Sequence, residues 1–261
     1  SYLESSLRRP LVRCAGMNEF DDSDLLPLKD YQRMREQLAQ AADGPLGRAT
    51  VLPPTLLAEL RNFRQQHAGA ELIDVLAACR RHVEPALICL GHAGLVWPVT
   101  VFPSEMTYHS PRDMLACADS TLAQFKVISV EPASVRPPGH WMHERIADHS
   151  QYRPLLPMLW SLALRGPSRH ALVSEISGSA AYRVARSLKS VGLSASGALG
   201  PAAERLHRES ASLRALSEWP GMDLERGIRL LNALHLISNL IVSRTHPAAR
   251  PEPRSTLARS R

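Results

Sequence analysis

The segment Ser212–Arg244, SLRALSEWPGMDLERGIRLLNALHLISNLIVSR, constrains the fold more than any other part of this chain. Ser212 can cap a helix in which Leu213, Leu216 and Trp219 share a face. Pro220, which has no backbone N–H, and Gly221, with its backbone freedom, then end that helix. Asp223 is an N-cap for a second, longer helix, with Arg226 rather than Glu at the capping-box position. Along it Ile228, Leu231, Leu234 and His235 form one stripe, which Leu230 and Ile237 widen. The β-branched run NLIVSR follows as a strand. The expected order is therefore short helix, sharp turn, long helix, strand.

That order resembles the winged helix-turn-helix superfamily, over about 45 residues if GPAAERLHRESA supplies the first helix. A second stretch, ALVSEISGSAAYRVARSLKSVGL (171–193), is similar to the helix-Gly-helix core of winged-helix regulators. Within it YRVARSLKSVGL resembles the recognition-helix ending of phenolic-acid-type repressors. The resemblance implies a helix over Ser179–Val191 that buries Val184, Leu188 and Val191 and turns Arg183, Arg186 and Lys189 outward, with no acidic residue between Ser179 and Leu193. Such a face can bind phosphate and pair with guanine edges. The likeness stops at SASGALGP, where no β-wing pattern follows. In the downstream unit Asp223 and Glu225 occupy the turn that would approach phosphate, which suits a protein contact or dimer interface better than DNA.

Composition sets the remaining bounds. With 261 residues, 44% of them apolar, the chain can bury one large core or two ordinary ones. Its 31 Lys+Arg outnumber 25 Asp+Glu, and the net charge of +6 favours acidic partners. Lysine is nearly absent (Lys29, Lys126, Lys189) beside abundant Arg, Ala, Leu and Pro, which points to a GC-rich bacterial source. Cys14, Cys79, Cys89 and Cys117 form no CxxC pair, so reduced thiols in a cytoplasmic protein are expected. The start, SYLESSLRRP, has charges but no apolar core behind them, which argues against a secretory signal. Pro85–Ser104 carries no charge and approaches the length of a membrane span, but Gly91, Gly94, Pro98 and Pro103 interrupt it; it reads as strands Ala86–Leu90 and Leu95–Phe102 about a GHAG turn.

The expected fold class is α+β: an N-terminal α/β-hairpin domain followed by a mostly helical, winged-helix-like region. Residues 1–48 form a loosely attached arm with a charged helix from about Leu28 to Ala42. Residues 49–150 form an α+β sensing or interaction domain with helices Pro54–Gln66 and Ala70–Val83, the hairpin, a third strand near Met106–His109, a short helix Pro111–Ala118 and a strand in QFKVISVEPASV. Residues 151–246 run helix after helix to Ser238, and 247–261 form a disordered basic tail.

No catalytic signature stands out. His140, His143 and His149 lie close to Glu144, but HWMHE lacks the i,i+4 spacing of a zinc helix, and no glycine-rich phosphate loop is present. No metal, cofactor or catalytic residue is assigned. Trp97, Phe102, Tyr108 and Trp141 are candidates to line a ligand or partner pocket. The expectation is a non-enzymatic regulator, without membrane insertion and homodimeric, that binds DNA through Arg183, Arg186, Lys189, Arg244 and Arg250. The alternative is a winged-helix adaptor that binds a protein partner in a signalling or secretion assembly.

Overall fold

Ala93 and Gly94 both take positive φ (50° and 78°), the backbone of a primed two-residue turn whose twist matches antiparallel strands. They join β2 (Ala86–His92) to β3 (Leu95–Phe102), as the GHAG pattern predicts. The computed structural model describes residues 25–42, 52–66, 71–139 and 149–249. Four further strands complete a six-stranded antiparallel sheet: β1 (Leu26–Pro27), β4 (Thr107–His109), β5 (Lys126–Pro132) and β6 (Tyr152–Pro154). Its order is β5-β2-β3-β4-β6, with β1 also on β3. The uncharged stretch is thus a hairpin, and among the described residues no helix is long and apolar enough to cross a membrane.

Alternation decides the two faces of this sheet. Ile88, Leu90, Trp97, Val99 and Val101 turn inward to the main core. There they meet α3 (Leu72–His82), buried at every position from Leu72 to Cys79, which α2 (Pro54–Gln66) flanks. On the other face Cys89 and Val96 pack with Tyr31 of α1 (Leu28–Ala42) in a smaller cluster. The Tyr31 hydroxyl donates to Glu131 Oε1 at 2.7 Å and lies 2.5 Å from Ser129 Oγ. The segment read as a loose arm therefore includes a helix seated on the sheet.

The expected helix Pro111–Ala118 is only a 3-10 turn, Met114–Ala116, capped by Asp113, before a short α4 (Asp119–Gln124). After β6 comes α5 (Leu155–Arg165), buried from Met158 to Ala163. Residues 166–180 then form neither helix nor strand, which corrects the expected succession of helices. Asn232 braces this loop: its Oδ1 accepts from Val173 N at 3.0 Å and its Nδ2 donates to Ala171 O.

A second sheet has the order β8-β7-β9, from β7 (Ala181–Val184), β8 (Ala211–Ser212) and β9 (Leu240–Ser243), all antiparallel. Around it stand α6 (Leu199–Arg208), α7 (Leu213–Ser217) and α8 (Leu224–Leu236). Between α7 and α8 the WPG turn needs its glycine: Gly221 has φ 73°, and a Cβ there would sit 2.8 Å from Ala198 Cβ. One continuous core runs from α2 and the larger sheet through α5 to α8, so the segments on either side of residue 150 share it. The class is α+β.

Candidate interaction surface

The expected helix Ser179–Val191 does not form. Ala181–Val184 is instead the central strand β7, registered with Ser243–Leu240 on one side and Ser212–Ala211 on the other. The cause is non-local: Tyr182 and Val184 are buried, and the Tyr182 hydroxyl donates to Ile176 O at 2.6 Å. Past the strand, Asn239 holds Arg186 by its backbone, accepting from Arg186 N at 2.9 Å and donating to Arg186 O at 2.7 Å. Leu188–Val191 then makes a single 3-10 turn.

This geometry keeps Arg183, Arg186 and Lys189 exposed but moves them off any helix. Arg183 stands directly across the strand pair from Ile241, itself 49% exposed, and its Nε reaches His207 O at 3.4 Å. Among the described residues none of the three has a carboxylate partner. The sequence holds no Asp or Glu from Ile176 to Ala203. Arg244 has another job: Nη1 donates to Ser177 O at 2.9 Å and Nη2 to Glu175 O at 3.3 Å, tying β9 to the loop before β7. Arg250 lies outside the described residues.

The helix after the WPG turn is the one most covered. Asp223 caps α8, accepting from Arg226 N at 2.8 Å. Of the expected stripe, Ile228, Leu230, Leu231, Leu234 and Ile237 are buried, and so are Gly227, Asn232 and Ala233 on the flanks. Helices α5, α7, α3 and α6 all pack against it. Arg229 is partly covered, donating to Leu164 O and Gly166 O at the end of α5. Exposure is confined mainly to the first turn, Leu224 to Arg226.

Beside β8 lies a groove of ≈ 670 Å³ that the sequence did not signal, bounded by Ser179, Arg205, Ser212, Trp219 and Pro247. The Arg205 guanidinium is 4.2 Å from the Trp219 ring and pairs with Glu209. Sequence spacing could not show this contact, because residues 205 and 219 meet only once α6 and α7 have packed about the sheet.

The three candidate pocket aromatics that are described do not share one surface. Phe102 and Tyr108 have no exposed area; Phe102 stacks on Tyr152, and the Tyr108 hydroxyl donates to Asp113 at 3.1 Å. Trp97 lines a cavity at the turn end of the β2–β3 hairpin. Trp141 and the His140, His143 and Glu144 cluster lie outside the described residues, as does the side chain of His149. Among the described residues no three His, Cys, Asp or Glu side chains converge as metal ligands. Burial raises the Cys79 thiol to about 12 and the Cys117 thiol to about 11, the latter helped by Asp113, so neither is a ready nucleophile. Compared with protein-family models, with curated proteins and with solved structures, the chain matches none, so the functional reading rests on the geometry just described.

Proposed function

We propose that the protein is a non-enzymatic bacterial regulator that acts as a docking adaptor, with α6–β8–α7–α8–β9 as a winged helix-turn-helix unit turned inward. One observation carries this reading. In that reading α8 would take the place that a winged-helix repressor offers to the major groove, but α5 and α3 cover it and its exposed turn bears Asp223 and Glu225, paired with Arg226 and Arg229. Side chains packed on other helices cannot reach base edges, and a turn whose carboxylates balance its arginines offers phosphate no net positive charge. What remains for a partner is the strip around β7: exposed Ile241 beside Arg183, with Arg186 and Lys189 beyond it. An apolar centre with a cationic rim suits an acidic protein surface.

The same three cations favour a second reading, contact with nucleic-acid phosphate from a strand and loop. Titration with random duplex DNA at about 50 and about 200 mM salt separates the two, because phosphate neutralisation gives a steep salt dependence. The adaptor should bind duplex at neither concentration. It should retain from a cell lysate a protein that the R183E/R186E variant loses and that rebinds when purified. Duplex affinity that collapses with salt and vanishes in R183E/R186E would replace docking with DNA binding.

A further inference from the structure

The smaller sheet ends on β9, and among the described residues no strand pairs with the outer side of that strand. Hydrogen bonds at the end of the ladder fix which backbone groups face outward. Ala185 N donates to Asn239 O at 3.0 Å, while Val184 O, turned away from β9, lies 3.2 Å from His207 Nδ1. Bonding residues alternate along an antiparallel ladder, so Ile241 and Ser243, opposite Arg183 and Ala181, point their N–H and C=O at β7. Leu240 and Val242 point theirs to the open edge. Proteins usually blunt such an edge with lysine, proline or a bulge. The larger sheet does so: its edge strand β5 carries Lys126 at one end and Pro132 at the other, with a register shift between them. Strand β9 reads LIVS, without lysine, proline or a break in register, and its Ile241 is exposed. Such an edge is a template for one more strand.

Charge selects the occupant. Arg186 stands at the Asn239 end of the edge, Arg244 follows Ser243 at the other end, and Arg183 lies opposite Ile241 on the exposed face. The sequence holds no Asp or Glu from Ile176 to Ala203 or from Arg226 to Pro251. Glu175 is held nearby through its backbone carbonyl, which Arg244 grips, but it commits its carboxylate to Arg81. A second copy of β9 laid alongside would set these arginines against their own kind, whereas an acidic strand meets them with opposite charge. We propose that the β9 edge is a strand-addition site for an extended acidic segment of a partner protein. That segment sets carboxylates on the Arg183–Ile241 face and β-branched side chains on the Leu240–Val242 face. Adjacent strands lie about 4.8 Å apart, so Arg183 is about 10 Å from the added backbone, a span that an arginine and a glutamate side chain bridge together. The assignment rests on the docking reading and specifies how the partner is held.

The test uses the full chain and a synthetic probe, the capped peptide EVEVEVE, at about 50 mM salt. In the added strand the valines share the Leu240–Val242 face and turn their N–H groups to β9, while the glutamates turn theirs to solvent. Two isomers, N-methylated at the valines or at the glutamates, therefore separate backbone pairing from charge. The valine isomer should bind at least about tenfold more weakly than the parent peptide, because ladder bonds are lost, and the glutamate isomer within about threefold of it. The cationic counterpart KVKVKVK should not bind. In the free protein the amides of Leu240 and Val242 should exchange faster than those of Ile241 and Ser243, and the probe should slow them. Equal losses from the two methylations, or binding that leaves exchange at Leu240 and Val242 unchanged, would overturn strand addition and leave docking through side chains standing. The absence of saturable binding up to about 1 mM peptide overturns it as well. Failure of the docking reading shows separately, as salt-sensitive duplex binding that R183E/R186E abolishes.

Discussion

Arg169 and Asp74, 95 residues apart in the chain, meet as a two-pronged buried ion pair: Nη1 to Oδ2 at 2.6 Å and Nη2 to Oδ1 at 2.9 Å. They are 7% and 6% exposed. Glu71 adds a second carboxylate to Nη1 at 2.8 Å, and Leu172 O accepts from Nη2 at 3.3 Å. The pair fastens the irregular 166–180 loop to α3, where no backbone ladder can do so.

Removing Arg169 strands Asp74 in the core, whereas removing Asp74 leaves Arg169 still paired with Glu71. Arg169→Ala should lower unfolding stability by about 3–5 kcal/mol and Asp74→Ala by less, measured by urea denaturation. The double replacement Asp74→Leu with Arg169→Met should cost less than Arg169→Ala, because the only carboxylate left without its arginine is Glu71, which reaches solvent. A double variant weaker than both singles would show that the pair itself, rather than the avoided penalty, holds the loop.

Tyr31 tests whether α1 belongs to the sheet. Tyr31→Phe keeps the ring beside Cys89 and Val96 but deletes the hydroxyl that reaches Glu131, while Glu131 retains Arg35 at 3.3 Å. A loss of about 1 kcal/mol is expected. Amide exchange in residues 28–37 should accelerate more than in β2 and β3. Equal protection in both variants would mean that the hydroxyl contributes nothing to seating the helix.

Acid should loosen the end of α8. Burial holds the His235 imidazole below its usual value, Arg81 and Arg80 act in the same direction, and Glu175 opposes them. The unfolded chain therefore takes up this proton first as the pH falls. His235 leaves stability unaffected above the unfolded value of about 6.5, and its share declines below that value toward the folded pKa. Thermal melting at about pH 7.5 and about pH 5.5 should show a larger drop for the natural protein than for His235→Gln. An identical drop in both would remove His235 from the pH response.

The described thiols should be inert in the native state. Cys79, Cys89 and Cys117 are buried, and desolvation raises all three above the usual thiol range. In a Cys14→Ser background, a disulfide-exchange reagent at about pH 8 should react at under about 1% of the rate seen in denaturant. Fast native labelling would show that one of these sites opens to solvent without global unfolding.

Local signals in the sequence carried far where they needed no distant partner. The helices Leu28–Ala42 and Pro54–Gln66 and the strand Leu95–Phe102 lie where periodicity places them, and Asp223 caps the helix that its position predicts. The candidate surface was legible in part: Arg183, Arg186 and Lys189 are exposed, as an acid-free stretch suggests. The groove beside β8 and the open edge of β9 left no trace in spacing, since each is made by segments far apart in the chain.

By itself, then, the amino-acid order determined which stretches coil, where they stop and where the hairpin turns, because capping, proline and side-chain alternation act within a few residues. Only the tertiary structure decided that AYRV is a strand and that α8 is largely covered beyond its first turn. A four-residue segment takes its conformation from the backbone groups it can pair with, and for β7 those belong to Ala211–Ser212 and Leu240–Ser243. A helix shows its apolar stripe in sequence, but whether a neighbour also covers its flanks depends on how the whole core closes, here with α5 and α3 laid over α8.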